Sequence, residues 1–126
     1  SLNNIGLFAG YKLGDYSIGA EYNKMENGTT YKTPIDNHNL NGISIYNRYS
    51  ISDKYEVFAR FDQISSNTLD GVTNSWNYND DGSLIIIGTQ YKANDGVKFS
   101  LNARSFTYKN LDTNLFEVFF NVEFNL

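Results

Sequence analysis

The sequence of this chain predicts an all-β fold made of antiparallel, up-and-down strands, and three observations support the prediction. First, apolar and polar residues alternate along most of the chain. This period-2 pattern is typical of strands, because successive side chains point to opposite faces. Second, no segment combines helical periodicity with capping residues. Third, the alternating segments are separated by turns rich in Gly, Asn or Asp, or by longer polar loops.

Seven strands are predicted, in a single domain or domain segment spanning residues 1–126. Their predicted ranges are Asn4–Leu13, Tyr16–Met25, Gly42–Ile51, Tyr55–Ile64, Ser83–Lys92, Val97–Tyr108 and Leu115–Leu126. Each is close to the roughly 9–11 residues that a tilted strand needs to cross a bilayer. In contrast, no apolar run approaches the roughly 20 residues of a transmembrane helix.

The connections between the predicted strands alternate in length. Three are short turns, at Leu13-Gly14, Ser52-Asp53-Lys54 and Ala93-Asn94-Asp95-Gly96, and the others are the loops 27–41, 65–82 and 109–114. Short turns at one end of the strands and longer loops at the other are typical of bacterial outer-membrane barrels, whose turns are periplasmic. The sequence therefore predicts an antiparallel transmembrane β-barrel whose last strand runs from the outside to the inside.

Composition argues against several classes of function. The net charge of −4 makes nucleic acid an unexpected partner. The chain has no Cys, which removes disulfides and thiol chemistry. It has a single His, His38, which makes histidine-based catalysis and a metal site unexpected. We therefore predict no enzymatic activity, no cofactor and no metal, and we interpret His38 as a solvated loop residue.

The alternation assigns each strand residue to one of the two faces of the predicted sheet. One face is apolar apart from Asn47 and Thr89, and the opposite face carries the charged residues. Simple hairpin registers place Arg48 opposite Glu56 and Gln90 opposite Lys98 on the polar face. If that face lines a water-filled pore, its charges set the local potential and a weak ion selectivity. The predicted pore-lining residues are Arg48, Arg60, Arg104, Lys98, Glu56 and Asp62. The alternative is that these charges pair across a narrow barrel and plug it.

Five tyrosines lie beside the predicted short turns and point to the apolar side. They are Tyr11, Tyr16, Tyr49, Tyr55 and Tyr91. The simple registers place Tyr11 opposite Tyr16, Tyr49 opposite Tyr55, and Tyr91 opposite Val97. Tyr concentrates at membrane boundaries, because its ring can stay in hydrocarbon while its hydroxyl reaches water. We interpret the five as a membrane girdle, with ordinary strand preference for Tyr as the alternative.

Four runs of sequence resemble a known group of proteins. The run Gly42-Ile43-Ser44-Ile45-Tyr46-Asn47-Arg48-Tyr49-Ser50 and the run Lys54-Tyr55-Glu56-Val57-Phe58-Ala59-Arg60-Phe61-Asp62 resemble the penultimate hairpins of porin-like outer-membrane proteins of Bacteroidota. Gly96-Val97-Lys98-Phe99 and Val118-Phe119-Phe120-Asn121-Val122-Glu123-Phe124 are similar to the last two strands of that group. The resemblance covers most of the chain from Gly42 onward. It lies in the general pattern of residues, without a signature motif.

The resemblance implies a β-barrel channel that the barrel assembly machinery folds into the outer membrane by reading the last strand. The residues that match such an assembly signal are Phe120, Val122, Phe124 and Leu126. Signals of this kind usually end in Phe or Trp, whereas here Asn125 and Leu126 follow Phe124.

The number of predicted strands conflicts with a closed barrel. Seven strands with an inside C-terminus put the N-terminus outside, whereas bacterial single-chain barrels have an even number of strands. Unpaired strand edges are not tolerated in hydrocarbon. Three explanations are open: a further strand around Gly71–Tyr78, an oligomer or additional chain that completes the barrel, or a chain that is the C-terminal part of a longer barrel. We favour the third.

The expected function is passive diffusion of small polar solutes or ions through an outer-membrane channel, with the lipid bilayer as the main partner. Two alternatives are kept. One is a non-channel outer-membrane barrel that serves as a partner-binding subunit of an envelope complex. The other is a soluble lipid-binding β-barrel whose apolar face points inward.

Overall fold

The computed structural model describes residues 1–28, 36–67 and 79–125. Within these ranges the chain has no helix and seven strands, which confirms the all-β prediction. The strands are β1 (Asn3–Leu13), β2 (Tyr16–Glu26), β3 (Leu40–Ser50), β4 (Tyr55–Ser66), β5 (Gly82–Asn94), β6 (Val97–Tyr108) and β7 (Asn114–Phe124). Every predicted strand is present, with ends that move by at most two residues. Leu126 and the suggested strand around Gly71–Tyr78 lie outside the described residues.

Among the described residues, no helix is long and apolar enough to cross a membrane.

The strands form one sheet in the order β1-β2-β3-β4-β5-β6-β7, and each is antiparallel to its neighbours. The up-and-down topology is therefore confirmed. In the described part of the chain the sheet is open, because β1 and β7 each pair on one side only. Both edge strands run from the long-loop end of the sheet to the short-turn end, so their directions are the same.

The predicted hairpin registers are wrong by two residues in all three short-turn hairpins. Opposite pairs are instead Tyr11 with Ile18, Tyr49 with Val57, Tyr91 with Phe99, Arg48 with Phe58, and Gln90 with Ser100. In the first hairpin the cause is a two-residue turn, Gly14-Asp15, that follows the last pair, Leu13 with Tyr16. A slip of two residues keeps every side chain on its own face, so the predicted faces survive the correction.

Each short turn is fixed by a local feature of its sequence. Gly14 has φ +56°, a conformation that glycine adopts at little cost. In the second turn the Ser52 hydroxyl accepts hydrogen bonds from the backbone N–H groups of Lys54 and Tyr55, at 3.3 and 3.2 Å. In the third, Asn94 Oδ1 accepts the Gly96 N–H at 2.8 Å, beside a bulge at the end of β5. These turns hold the three hairpins at one end of the sheet.

Over residues 1–28, 36–67 and 79–125 the sheet is a single layer without an apolar core. Among the described residues, no hydrophobic side chain is buried. Apolar-face residues such as Phe116 are instead open, with 68 % of the side chain exposed. Along β5, Ile85, Ile87 and Thr89 of the apolar face are exposed, while the residues between them are half-buried. The polar face is therefore the better shielded of the two.

The polar face as the candidate functional site

The pleat collects the polar face into rows that cross all seven strands. The central row is Gly10, Gly19, Tyr46, Arg60, Ile86, Arg104 and Glu117. The next row toward the short turns is Lys12, Ser17, Arg48, Phe58, Gly88, Asn102 and Phe119. All six predicted pore-lining residues lie on this face, in β3, β4 and β6. The alternation of the sequence was sufficient to bring them together.

The most connected polar cluster joins β2, β3 and β4 around Arg60. Arg60 Nε donates to both carboxylate oxygens of Asp62, at 2.9 and 2.8 Å. Its guanidinium lies over the ring of Tyr46, with Cζ 4.8 Å from the centroid. The Tyr46 hydroxyl donates to Glu21 Oε2 at 2.8 Å, and Asn23 Nδ2 donates to Glu21 Oε1 at 2.6 Å. Three strands are thus cross-linked by side chains as well as by the backbone.

The remaining predicted charges also have partners of opposite sign. The ion pairs are Arg48–Glu56, Lys98–Glu123 and Arg104–Glu117, with N–O separations of 3.4, 3.8 and 3.9 Å. The Arg104 guanidinium also lies 4.7 Å from the ring centroid of Phe119. Half-exposed pairs of this kind each contribute about 0–1 kcal/mol to stability. Their main effect is that the charges of the polar face largely compensate one another.

At the third short turn, outside the body of the sheet, Lys92 and Asp95 form an ion pair with an N–O distance of 2.7 Å. The hydrogen bond from the Lys92 ammonium, together with its charge, holds the pKa of the Asp95 carboxyl below its ordinary value. The turn end of the sheet therefore keeps a paired carboxylate.

Two aromatic rings on the polar face lie over glycines. The ring of Phe8 covers Gly10 and Gly19, so a Cβ added at either glycine would lie 3.3 Å from it. The ring of Phe58 covers Gly88 in the same way. An aromatic side chain can shield the bare backbone of a glycine from a neighbouring position. Sequence reasoning missed both rings, although each breaks the alternation and each turns out to face a glycine.

These residues surround a hollow in the polar face. Its volume is about 750 Å³, and Phe8, Phe58, Ile86, Arg48 and Arg60 are among the residues that line it. Small-molecule sites typically enclose about 300–1,000 Å³ and combine apolar walls with a few polar groups. The hollow has the size and the mixed lining of such a site.

The five tyrosines of the predicted girdle all lie on the apolar face near the short-turn end. Tyr16 is opposite Tyr49, and Tyr55 is opposite Tyr91, so they pair between hairpins and not within them. The rings of Tyr55 and Tyr91 are stacked, with centroids 4.7 Å apart. Tyr11 pairs with Ile18 beside them.

The two predicted polar exceptions on the apolar face, Asn47 and Thr89, have hydrogen-bond partners. Asn47 Oδ1 accepts a hydrogen bond from the Tyr16 hydroxyl. The Thr89 hydroxyl donates to the backbone oxygen of Glu56 at 3.0 Å. Each of these side chains therefore has a polar atom that a neighbour satisfies, which lowers the cost of placing it on an apolar face.

The three described residues of the predicted assembly signal, Phe120, Val122 and Phe124, lie on the apolar face of β7. They face Leu101, Phe99 and Val97 of β6 in the same order. All three side chains are exposed on the outer edge strand.

The interpretation of His38 as a solvated residue is wrong. His38 has 0 % of its surface exposed, and Asp81 has 1 %. The backbone continues its hydrogen bonding beyond the strand ends beside this residue. The Gly28 N–H donates to the His38 oxygen at 2.8 Å, and the Asn67 N–H donates to the neighbouring Asn39 oxygen at 3.1 Å. The alternation of a strand pattern carries no signal for such a contact between loops.

Asparagine side chains complete the contacts at this end of the sheet. The Asn39 N–H donates to Asn67 Oδ1 at 2.7 Å, and Asn67 Nδ2 donates to the Asn37 oxygen at 2.6 Å. The Asn37 N–H donates to Asn27 Oδ1 at 2.8 Å. Asn27 and Asn37 both have positive φ, which Asn tolerates better than most residues. We call Asn27, Asn37, Asn39 and Asn67 the asparagine clasp.

Asp81 anchors the neighbouring connection. Its Oδ2 accepts the Ser66 N–H at 2.9 Å and the Ser66 hydroxyl at 2.6 Å. Its backbone oxygen accepts the Lys109 N–H at 2.9 Å. One residue therefore ties the end of β4 to the start of β5 and to the segment that follows β6.

Across the described ranges, no group of three or more His, Cys, Asp or Glu side chains could hold a metal ion. No protein-family model, no curated protein and no solved structure matches this chain. The resemblance to porin-like outer-membrane proteins of Bacteroidota therefore stays a prediction.

Proposed function

We propose that the sheet is part of the wall of an outer-membrane β-barrel, in which the apolar face meets lipid and the polar face lines a lumen. Small polar solutes or ions diffuse through that lumen, and the chain performs no chemistry on them. The observation that carries the proposal is the largely exposed apolar face of a sheet that, in the described ranges, has no second layer. A face of this kind needs an apolar environment, because burying it from water is strongly favourable.

The height of the apolar face suits a bilayer. In β7 it runs from Phe116 to Phe124, which spans about 27 Å along the strand at about 3.4 Å per residue. Tilting the strand by about 40° reduces this to about 20 Å, close to the apolar band of about 25 Å in such barrels. Toward the long-loop end the same face becomes polar, at Asn41, Gln63, Ser83, Thr107 and Asn114.

The tyrosines support the same placement. Tyr11, Tyr16, Tyr49, Tyr55 and Tyr91 bound the apolar face at its short-turn end. An amphipathic ring at that level keeps its hydroxyl near water and its carbons near lipid. On this proposal the tyrosine level marks the periplasmic boundary of the membrane.

A soluble lipid-binding barrel is the less favoured hypothesis, and one observation argues against it. Such a barrel would turn its apolar face inward, where side chains shield one another. In this sheet the polar face is the better shielded and the apolar face the more exposed.

The open edges point to additional strands. Because β1 and β7 run in the same direction, an odd number of further strands is needed to close the sheet with antiparallel pairs throughout. We propose that they come from a longer polypeptide that includes this chain, with a further chain or copy as the alternative. Assembly would use the barrel assembly machinery.

The proposal is tested on the native protein extracted from membranes. We expect a species that needs detergent, runs differently with and without boiling, has a larger mass than 14.3 kDa, and conducts ions in a planar bilayer. A detergent-independent species of 14.3 kDa would overturn the membrane assignment. A heat-modifiable species that conducts no ions would leave the barrel standing and favour the non-channel subunit.

A further inference from the structure

We infer that the hollow on the polar face is a binding site for the ring of a neutral carbohydrate. This inference deepens the proposed function, because it rests on the polar face pointing into the lumen and names the class of solute. It depends on three features of the hollow: an aromatic platform, compensated charges and a suitable volume.

The platform is the ring of Phe8. Its outer carbons lie over Gly10 and Gly19, which have no side chains to displace it. The residue is nevertheless 70 % exposed, so much of the ring is open to a solute. Phe58, packed over Gly88, lines the same hollow from β4. Two flat aromatic surfaces beside charged groups are suited to a solute that has an apolar face of its own.

The polar groups of the hollow favour an uncharged solute. Arg60 is paired with Asp62, and Arg48 is paired with Glu56, so neither guanidinium is left to attract an anion alone. Both pairs are made through Nε, and the terminal amino groups of each guanidinium are further N–H donors. Carboxylate oxygens and guanidinium N–H groups then lie side by side as acceptors and donors. Hydroxyl groups, which both donate and accept, complement this arrangement.

A pyranose ring combines the two properties. Its axial C–H groups form an apolar face that can stack on an aromatic ring, and its equatorial hydroxyls form a polar rim. The volume of about 750 Å³ admits one or two such rings. Inorganic ions gain nothing from the platform, and charged aromatic solutes gain little from charges that are already compensated.

The test measures equilibrium binding of maltose to the native protein purified in detergent. Binding is monitored by saturation-transfer NMR. Sorbitol is the matched probe, because it carries similar hydroxyls but has no ring face. We compare Phe8→Leu, which keeps an apolar side chain but removes the platform, with Phe106→Leu on the same face. Phe106 packs against Tyr108 and does not line the hollow.

We expect maltose to bind and sorbitol to bind far more weakly. Phe8→Leu should weaken maltose binding about fivefold to tenfold, the fold-change of one lost aromatic contact, and Phe106→Leu should not. The inference would be overturned by equal binding of maltose and sorbitol, or by a Phe8→Leu variant that binds maltose as the parent does. Preferential binding of benzenesulfonate, a charged aromatic solute, would also overturn it. Because binding is measured without transport, a failed channel and a failed sugar site are distinguishable: maltose binding without ion conductance contradicts only the channel.

Discussion

At the scale of single residues, the polar face is organised by contacts between aromatic rings and glycines and by compensated charges. Phe58 lies over Gly88, and Arg60 is held by Asp62 and Tyr46. The sequence predicts which face these residues share. It does not predict which side chains contact one another, because partners on neighbouring strands depend on turn geometry. In the three short-turn hairpins, the turns shift the register by two residues.

Gly88→Ala should destabilise the protein. A Cβ at this position would lie 2.8 Å from Asn102 Cβ and closer still to the Phe58 ring, so both neighbours must move. Overpacking of this kind costs about 1–3 kcal/mol. Stability is measured as the urea concentration at which half of the protein has lost its heat-modifiable form.

Gly42→Ala is the matched control for Gly88→Ala, because the nearest atoms to its added Cβ are at 3.9 Å. It should leave the urea midpoint nearly unchanged. Equal effects of the two substitutions would show that the ring over Gly88 is not the cause.

Arg60→Ala should make the proposed channel more cation-selective. The substitution leaves Asp62 and Glu21 without the guanidinium that lies beside them, so the local potential becomes more negative. The measurement is the reversal potential in a salt gradient across a planar bilayer. Asp62→Asn should shift it in the opposite direction, and the double variant should return toward the parent.

Arg104→Ala should act in the same direction as Arg60→Ala, because it removes the partner of Glu117. Unchanged conductance and ion preference in both arginine variants would count against a lumen lined by this face.

At the scale of the strand, the alternation of residues carries nearly all of the fold. The seven strands follow from it because a period-2 pattern and turn residues are local features of a sequence. The registers do not follow from the alternation, since they depend on turn geometry. In the third hairpin they also depend on a bulge at Lys92 and Asn94. The buried position of His38 does not follow from the alternation either, because it depends on segments far apart in the chain.

Adjacent residues of one strand provide a direct test of which face meets lipid. Ile85→Lys places a charge on the apolar face, and Leu84→Lys places the same charge on the polar face, opposite Asp62. On the proposed orientation, Ile85→Lys costs about 2 kcal/mol and Leu84→Lys much less. The measurement is unfolding from lipid vesicles in urea. The reverse order would mean that the apolar face is the interior.

At the scale of the whole molecule, the open sheet is the feature that most needs explanation. In the described part of the chain, both edges expose backbone groups that no strand pairs with, and such edges invite pairing. The sequence already indicates an odd number of strands, and the structure adds that the two edges run in the same direction.

Pairing of the edges should be visible in amide hydrogen exchange. In the native membrane-extracted protein, the amides of β1 and β7 should be as protected as those of β4, because further strands pair with both edges. In the chain folded alone in detergent, every second amide of β1 and β7 should exchange fast. Equally fast exchange at the edges in both samples would rule out additional strands.

The asparagine clasp has a consequence for the setting in which the long-loop end would work. Its hydrogen bonds join neutral side-chain amides to backbone N–H and C=O groups. Neutral groups of this kind do not titrate, and salt does not screen them as it screens exposed ion pairs. On the proposed orientation this end faces the exterior of the cell, where acidity and ionic strength fluctuate. The contacts made by the clasp would therefore persist through such fluctuations, while the ion pairs of the lumen strengthen and weaken with them.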